Sequence, residues 1–294
     1  MRIKDSRMLS LCFLTAVGVL LSSLVSCGFS EAGFVDDRYE EWKYEDYRSV
    51  LKNVDDSGMV NYARLETNRA ILDRFALRMA GLPRSTFESW NSSEKISFWI
   101  NAYNGLTLLA VVDHYPIEAS FFASLRFPEN SIRQISGVWD RLTFSIVGES
   151  LTLDTIEHEI LRGDFDDPRV HFALVCAAMG CPPLRDEPYE GNSVDRQLDD
   201  QVYQFVKNPQ KFRIDRQRNI VYLSKILDWY GDDFIGQFDT DSAFKGHGRK
   251  ERAVLNFLSS FLPAEDDRYL RNADFQIQYL EYDWALNERI SGQD

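Results

Sequence analysis

Hydrophobic residues recur at helical spacing over residues 38–53 and 66–80, which predicts two amphipathic helices with a turn at Asp55-Asp56-Ser57-Gly58 between them. Residues 93–113, SEKISFWINAYNGLTLLAVVD, are apolar on nearly every face. They predict a long buried helix, capped by Ser92 or Ser93 and ended before Pro116. Residues 142–153 read as strands around Gly148. Asp154 then stands three residues before Glu157, a capping-box spacing that opens a short helix. Residues 169–176 read as a core strand, 193–207 as an amphipathic helix and 220–223 as a strand. Residues 225–235 and 250–262 read as helices, and 275–284 alternates as a closing strand. Helices and strands mix without a regular βαβ rhythm, so the expected class is α+β: one domain over residues 38–294, with helices around a small antiparallel sheet.

The N-terminus changes the picture of where that domain lives. Arg2, Lys4 and Arg7 precede an almost unbroken apolar run from Met8 to Val25, the pattern of a secretory signal. The run ends in Leu24-Val25-Ser26-Cys27, which resembles the lipobox of bacterial lipoproteins. That resemblance implies cleavage after residue 26, acylation of Cys27, and a tether over residues 27–37. A plain N-terminal membrane helix is the other reading, since about 18 apolar residues can span a bilayer. Several acyl chains give stable anchoring where one does not. Gly28 favours the outer membrane, because an Asp there often signals retention at the inner one.

Loss of residues 1–26 removes three bases and one acid, taking the formal charge from −13 to −15. So acidic a body is repelled by nucleic acid and by anionic lipid surfaces. No nucleic-acid partner and no cofactor are expected, and the membrane is met only through the lipid. Cys12 leaves with the signal and Cys27 carries lipid, so Cys176 and Cys181 are the remaining thiols, in an oxidising compartment.

Those thiols sit in HFALVCAAMGCPPL, residues 171–184, behind His171. In an extended strand His171 and Cys176 face opposite sides, about 16 Å apart. A bend at residues 177–180 is needed to bring Cys181 back toward either one. Three chemistries are open: a Cys176–Cys181 disulfide, a metal site, or a thiol nucleophile. The disulfide needs a tight turn. The metal is disfavoured because His-x4-Cys-x4-Cys is not a zinc spacing. The nucleophile needs a base and a group that orients it. Among the four histidines, His247 reads as surface and His114 as a helix-end residue satisfying carbonyls. His158 and His171 remain as bases, with Glu157 or Asp154 to orient them. Gly180 would let a substrate approach the backbone. Pro182 lacks an N–H, so an oxyanion hole would use the N–H of Cys181 plus a side chain. The structural alternatives are a core His171 satisfied by backbone and a Glu157 that only caps. Asn101 and Asn104 share one face of the long helix. They would either tie a loop to it or bind substrate.

Five ordered segments carry a family resemblance: FWINAYNGLTL (98–108), LTLDTIEHEILR (151–162), DPRVHFALVCAAMGCPPLR (167–185), LSKILDWYGDDF (223–234) and YLEYDWALN (279–287). Together they resemble the domain-of-unknown-function family 547, from about residue 45 to 287. Members are often secreted or lipid-anchored bacterial proteins, and the family implies no established reaction. Its shared Glu-His, His and Cys-Pro invite comparison with papain-like or transglutaminase-like thiol enzymes, which is analogy.

The expectation from sequence is a lipid-anchored envelope protein with a Cys/His cleft, acting as a thiol hydrolase or acyltransferase on peptides or amides. Cys181 attacks, His171 or His158 is the base, Glu157 orients it, and Asn101 or Asn104 positions the carbonyl. The rival expectation is a non-catalytic envelope binding module pinned by a Cys176–Cys181 disulfide.

Overall fold

The apolar stretch 93–113 becomes the longest helix among the described residues, and that helix positions the thiol segment. The computed structural model describes residues 42–289. The signal segment, Cys27 and the tether lie outside the described residues, as do positions 38–41 of the first expected helix. What is described of that helix is α1 (Glu45–Leu51). The stretch 66–80 falls into two helices, α2 (Tyr62–Thr67) and α3 (Ala70–Ala80), and the short α4 (Arg84–Ser89) follows.

Helix α5 (Ser92–Val112) is buried on all sides, as its uniformly apolar sequence requires. Its cap is Asn91 and neither of the serines. The Asn91 side chain accepts the Glu94 N–H at 3.0 Å, and the Glu94 carboxylate accepts the Asn91 N–H at 2.8 Å. The two bonds satisfy two otherwise free donors reciprocally.

Beyond α6 (Phe121–Ser124), strands β1 (Phe144–Ile146) and β2 (Glu149–Leu151) pair antiparallel around Gly148. A π-helix, Thr155–Leu161, runs into the single turn α7 (Arg162–Asp164). The expected Asp154 cap is replaced by Thr152, whose hydroxyl accepts the Thr155 N–H at 3.1 Å. Asp154 already has helical dihedrals and makes no cap bond.

Residues 169–176 do not form the expected strand. Asp167 accepts the Arg169 N–H at 3.0 Å, and Pro168 opens a 3-10 helix, Pro168–Phe172. Only then does the chain extend toward Cys176, and its hydrogen-bonding partner is a side chain. The Asn104 amide donates to Ala173 O at 2.9 Å and accepts the Val175 N–H at 2.9 Å. Asn101 does the same for Tyr189, at 2.8 and 2.9 Å. Two amides one turn apart on α5 thus do for two loops what a neighbouring strand would do.

The remainder is α8 (Val194–Lys207), β3 (Phe212–Asp215), β4 (Ile220–Leu223), α9 (Lys225–Trp229), a 3-10 turn Gly231–Phe234, α10 (Ile235–Phe238), α11 (Arg249–Ser259), α12 (Ala264–Asn272) and β5 (Gln276–Tyr279). The second sheet has the order β3-β4-β5. Its first pair is antiparallel and its second parallel, so this mixed sheet stands beside the small antiparallel sheet of β1 and β2. Phe172, Phe205, Phe234 and Phe257 interlock in the core beside it. The fold is α+β. Strand β5 ends at Tyr279, and the following segment leaves the sheet to cross the thiol turn.

Candidate active site

The turn between the two cysteines is built by backbone strain and a strap. Ala177 adopts a left-handed φ of 57°, and the Cys181 N–H closes the bend on Ala178 O at 3.0 Å. The segment after β5 holds the turn from outside. Met179 N–H bonds Ala285 O at 2.8 Å, Gly180 N–H bonds Asp283 O at 2.7 Å, and Asn287 N–H bonds Ala177 O at 3.1 Å. From the other side the buried Lys211 ammonium donates to Met179 O at 2.5 Å. Two expectations are corrected here. The Cys181 N–H is spent on Ala178 and is not free for an oxyanion hole. A Cβ at Gly180 would lie 2.6 Å from the Tyr282 ring, so the missing side chain admits Tyr282 and not a substrate.

Both cysteines are free thiols, so the disulfide of the rival reading is not formed. The Cys176 N–H donates to Cys181 Sγ at 2.9 Å. The Tyr282 hydroxyl lies 3.0 Å from Cys181 Sγ and 3.1 Å from Cys176 Sγ. Burial opposes ionisation of Cys181. Hydrogen bonds from the Cys176 thiol, the Tyr282 hydroxyl and the N–H groups of Ala178 and Cys176 outweigh it and bring the thiol down to about 7. Its partner moves the opposite way: the hydrogen bond to Cys181 and then burial push Cys176 well above the ordinary thiol value. Tyr282 is also held protonated, by burial and then by the two sulfurs. The site therefore has one acidic sulfur and two neighbours that keep their protons to donate to it.

These sulfurs face a cleft of about 520 Å³. One wall is aromatic: Trp229 and Trp284 sit 4.9 and 4.6 Å from the Tyr282 ring, and Arg133 lies against Phe127, Trp139 and Trp284 at 4.4, 5.3 and 5.0 Å. Asp140, Asp154 and Glu157 also line the cleft. Burial, with Glu157 and Asp140 nearby, raises Asp154 despite the opposing His158.

The structure brings His171, His158, Glu157 and both cysteines to this one cleft. It does not form the expected dyad, because no imidazole hydrogen-bonds Cys181 among the described residues. His171 is buried and stacks on Tyr230 at 4.2 Å, and its Nε2 bonds Asp233 Oδ2 at 2.8 Å. Arg162 grips the same carboxylate with two N–H groups, each at 2.7 Å. Burial opposes the charge of Asp233, but Arg162 and His171 hold its carboxyl well below the usual range. A carboxylate on Nε2 leaves Nδ1 as the basic nitrogen of a neutral His171.

His158 is half exposed, and Arg162 Nη1 lies 2.9 Å from its Nδ1. A guanidinium only donates, so Nδ1 accepts and the neutral ring carries its proton on Nε2. The basic nitrogen of His158 is thereby occupied. Glu157 does not orient a histidine: its carboxylate accepts from the Tyr103 and Tyr230 hydroxyls. Asp233 holds the position expected of Glu157. Asn101 and Asn104 are spent on backbone and do not line the cleft.

Sequence reading therefore missed Tyr282, Asp233, Arg162, Tyr230 and Lys211. The first two lie inside the segments YLEYDWALN and LSKILDWYGDDF, so the signal was present without a role attached. His114 does satisfy a helix carbonyl, Ala110 O at 2.8 Å. Among the described residues, no group of three or more His, Cys, Asp or Glu is placed to hold a metal ion.

Residues 87–206 match the model of DUF547, a family described as proteins of unknown function. The matched stretch spans α5, the π-helix and the thiol turn, but stops short of the segments that supply Asp233 and Tyr282. No curated protein and no solved structure matches the chain.

Proposed function

We propose that this chain is a lipid-anchored envelope protein whose cleft performs thiol-based acyl chemistry, as a hydrolase or acyltransferase of peptides or amides. The observation that carries this reading is an acidified Cys181 sulfur facing a substrate-sized cleft. A thiol brought to about 7 is half ionised near neutral pH and attacks without a base to take its proton. That also accounts for the missing Cys–His contact.

In this reaction the Cys181 thiolate bonds the carbonyl carbon, and the carbonyl electron pair moves to oxygen. The Tyr282 hydroxyl, freed from the sulfur as its charge is lost, donates to that oxygen. Collapse expels the leaving amine, which takes a proton from water, and a thioester remains on Cys181. His171 works on the second step. Its Nδ1 accepts a proton from the incoming water or amine while Asp233 holds Nε2–H, the arrangement that sets tautomer and ring orientation in thiol and serine hydrolases.

The test is acylation by 4-nitrophenyl acetate, followed by 4-nitrophenolate release and intact mass. Wild type should show a burst and an acetyl group on Cys181; Cys181→Ser should show neither. Absence of any Cys181 adduct in the wild type contradicts the reading. The aromatic wall, with Trp229 45% exposed, favours a second reading in which the cleft only binds ligand. That reading predicts ligand-dependent quenching of tryptophan fluorescence with no acyl adduct.

A further inference from the structure

The acyl reaction gives Cys176 no chemistry of its own, yet its sulfur is placed as carefully as that of Cys181. The Cys176 N–H donates to Cys181 Sγ at 2.9 Å, and one hydroxyl, that of Tyr282, touches both sulfurs at 3.0 and 3.1 Å. The turn that joins them is held at Ala177, Met179 and Gly180 by the strap of residues 283–287 and at Met179 by Lys211. Two sulfurs that share one hydroxyl at the ends of a short, fixed turn are near neighbours, as a disulfide between them requires.

We propose that Cys181 and Cys176 act as the attacking and resolving thiols of a dithiol–disulfide couple, exchanging with disulfide-bearing ligands in the cleft. The steps balance. The Cys181 thiolate attacks one sulfur of a substrate disulfide, R–S–S–R′; a Cys181–S–S–R bond forms and R′S⁻ leaves. Cys176 then gives up its proton to the expelled thiolate or to water. Its sulfur attacks Cys181 Sγ and expels RS⁻. The protein dithiol loses two electrons, and the substrate disulfide gains them.

The pair is asymmetric in the direction this sequence needs. The Cys181 sulfur is the reactive thiolate at neutral pH, whereas Cys176 stays protonated while it donates to that thiolate. Once Cys181 is bound in the mixed disulfide, its negative charge is gone. The largest cause holding Cys176 protonated goes with it, and the resolving thiol becomes easier to ionise when it is needed. In an oxidising compartment such a couple is open to exchange.

The test uses the full chain, reduced and then exposed under nitrogen to oxidised glutathione at neutral pH, with adducts located by peptide mapping. Wild type should form the Cys176–Cys181 disulfide and release two molecules of reduced glutathione per protein. Cys176→Ser keeps a hydroxyl donor to Cys181, and it should stop at a glutathione adduct on Cys181. Cys181→Ser should consume oxidised glutathione slower by about tenfold or more, because Cys176 is then the poorer nucleophile. Wild type that stops at the mixed disulfide, or a Cys181→Ser protein that reacts as fast as wild type, overturns the inference. The ester burst is read separately on the same preparations. A burst without disulfide formation leaves the acyl reading standing alone, and the reverse leaves the redox couple alone.

Discussion

The Tyr282 hydroxyl reaches Cys181 Sγ across 3.0 Å, from a ring that lies directly over Gly180. One aromatic residue thus covers the bend of the thiol turn and supplies a proton donor to its acidic sulfur. The contact joins residues 101 positions apart, so it exists only because the strap after β5 returns to the turn.

The packing half of that relationship is tested at Gly180. A methyl group there would lie 2.6 Å from the ring and must push it away. Gly180→Ala should lower stability by about 1–3 kcal/mol, the usual cost of overpacking. It should also slow iodoacetamide labelling of Cys181 at pH 7, as the displaced hydroxyl no longer reaches the sulfur. Thermal melting and peptide-resolved labelling read the two effects. A variant that melts lower with labelling unchanged would show that the ring packs without tuning the thiol.

Asp233 holds His171 Nε2 at 2.8 Å and pairs with Arg162. Its carboxyl is depressed in the folded protein, so its contribution to stability is present above the unfolded value, near 3.8, and is lost as pH falls below it. Asp233→Asn breaks a part-buried pair with Arg162 and should destabilise the protein at pH 7 by about 1–3 kcal/mol. The gap between wild type and variant should narrow in melts run below about pH 4. Cys181 labelling should stay near wild type, because the thiolate does not depend on His171. A gap independent of pH would mean that Asp233 is not held as an anion.

The anchor is tested where the sequence places it. Leu24-Val25-Ser26-Cys27 motivates the expectation that Cys27→Ser abolishes incorporation of labelled palmitate and leaves the precursor unprocessed in a bacterial host. Normal maturation of that variant, without label, would assign the cleavage to an ordinary signal peptidase and remove the anchor.

What the sequence made legible was the part governed by local pattern. Helix α5 is apolar on every face and α8 is amphipathic, so periodicity places both to within a residue or two. Residues 169–176 were misread because a half-buried extended segment looks the same whether its partner is a strand or, as here, the Asn104 amide. Cys181, His171, His158 and Glu157 were found because they crowd into one stretch of chain, and they do share a cleft. Their pairings were not legible. Asp233 lies 62 positions from His171 and Tyr282 lies 106 from Cys176, distances that only the tertiary fold closes. Glu157 is nearer in sequence, but its carboxylate is engaged by Tyr103 and Tyr230. Proximity along the chain therefore assigned the wrong carboxylate to the histidine and the wrong group to the thiol.

The account rests on Cys181 being ionised by hydrogen bonds from Tyr282 and Cys176, with no imidazole involved. The most direct measurement is the pH dependence of iodoacetamide labelling at Cys181 in wild type, Tyr282→Phe and His171→Asn, each checked for folding by its melt. Wild-type labelling should fall as pH drops through a midpoint of about 7. Tyr282→Phe removes a donor that favours the thiolate, so its midpoint should move up toward the ordinary thiol value of 9.0, while His171→Asn should keep the wild-type midpoint. A midpoint that moves in His171→Asn and stays fixed in Tyr282→Phe would contradict the account and restore a Cys–His dyad.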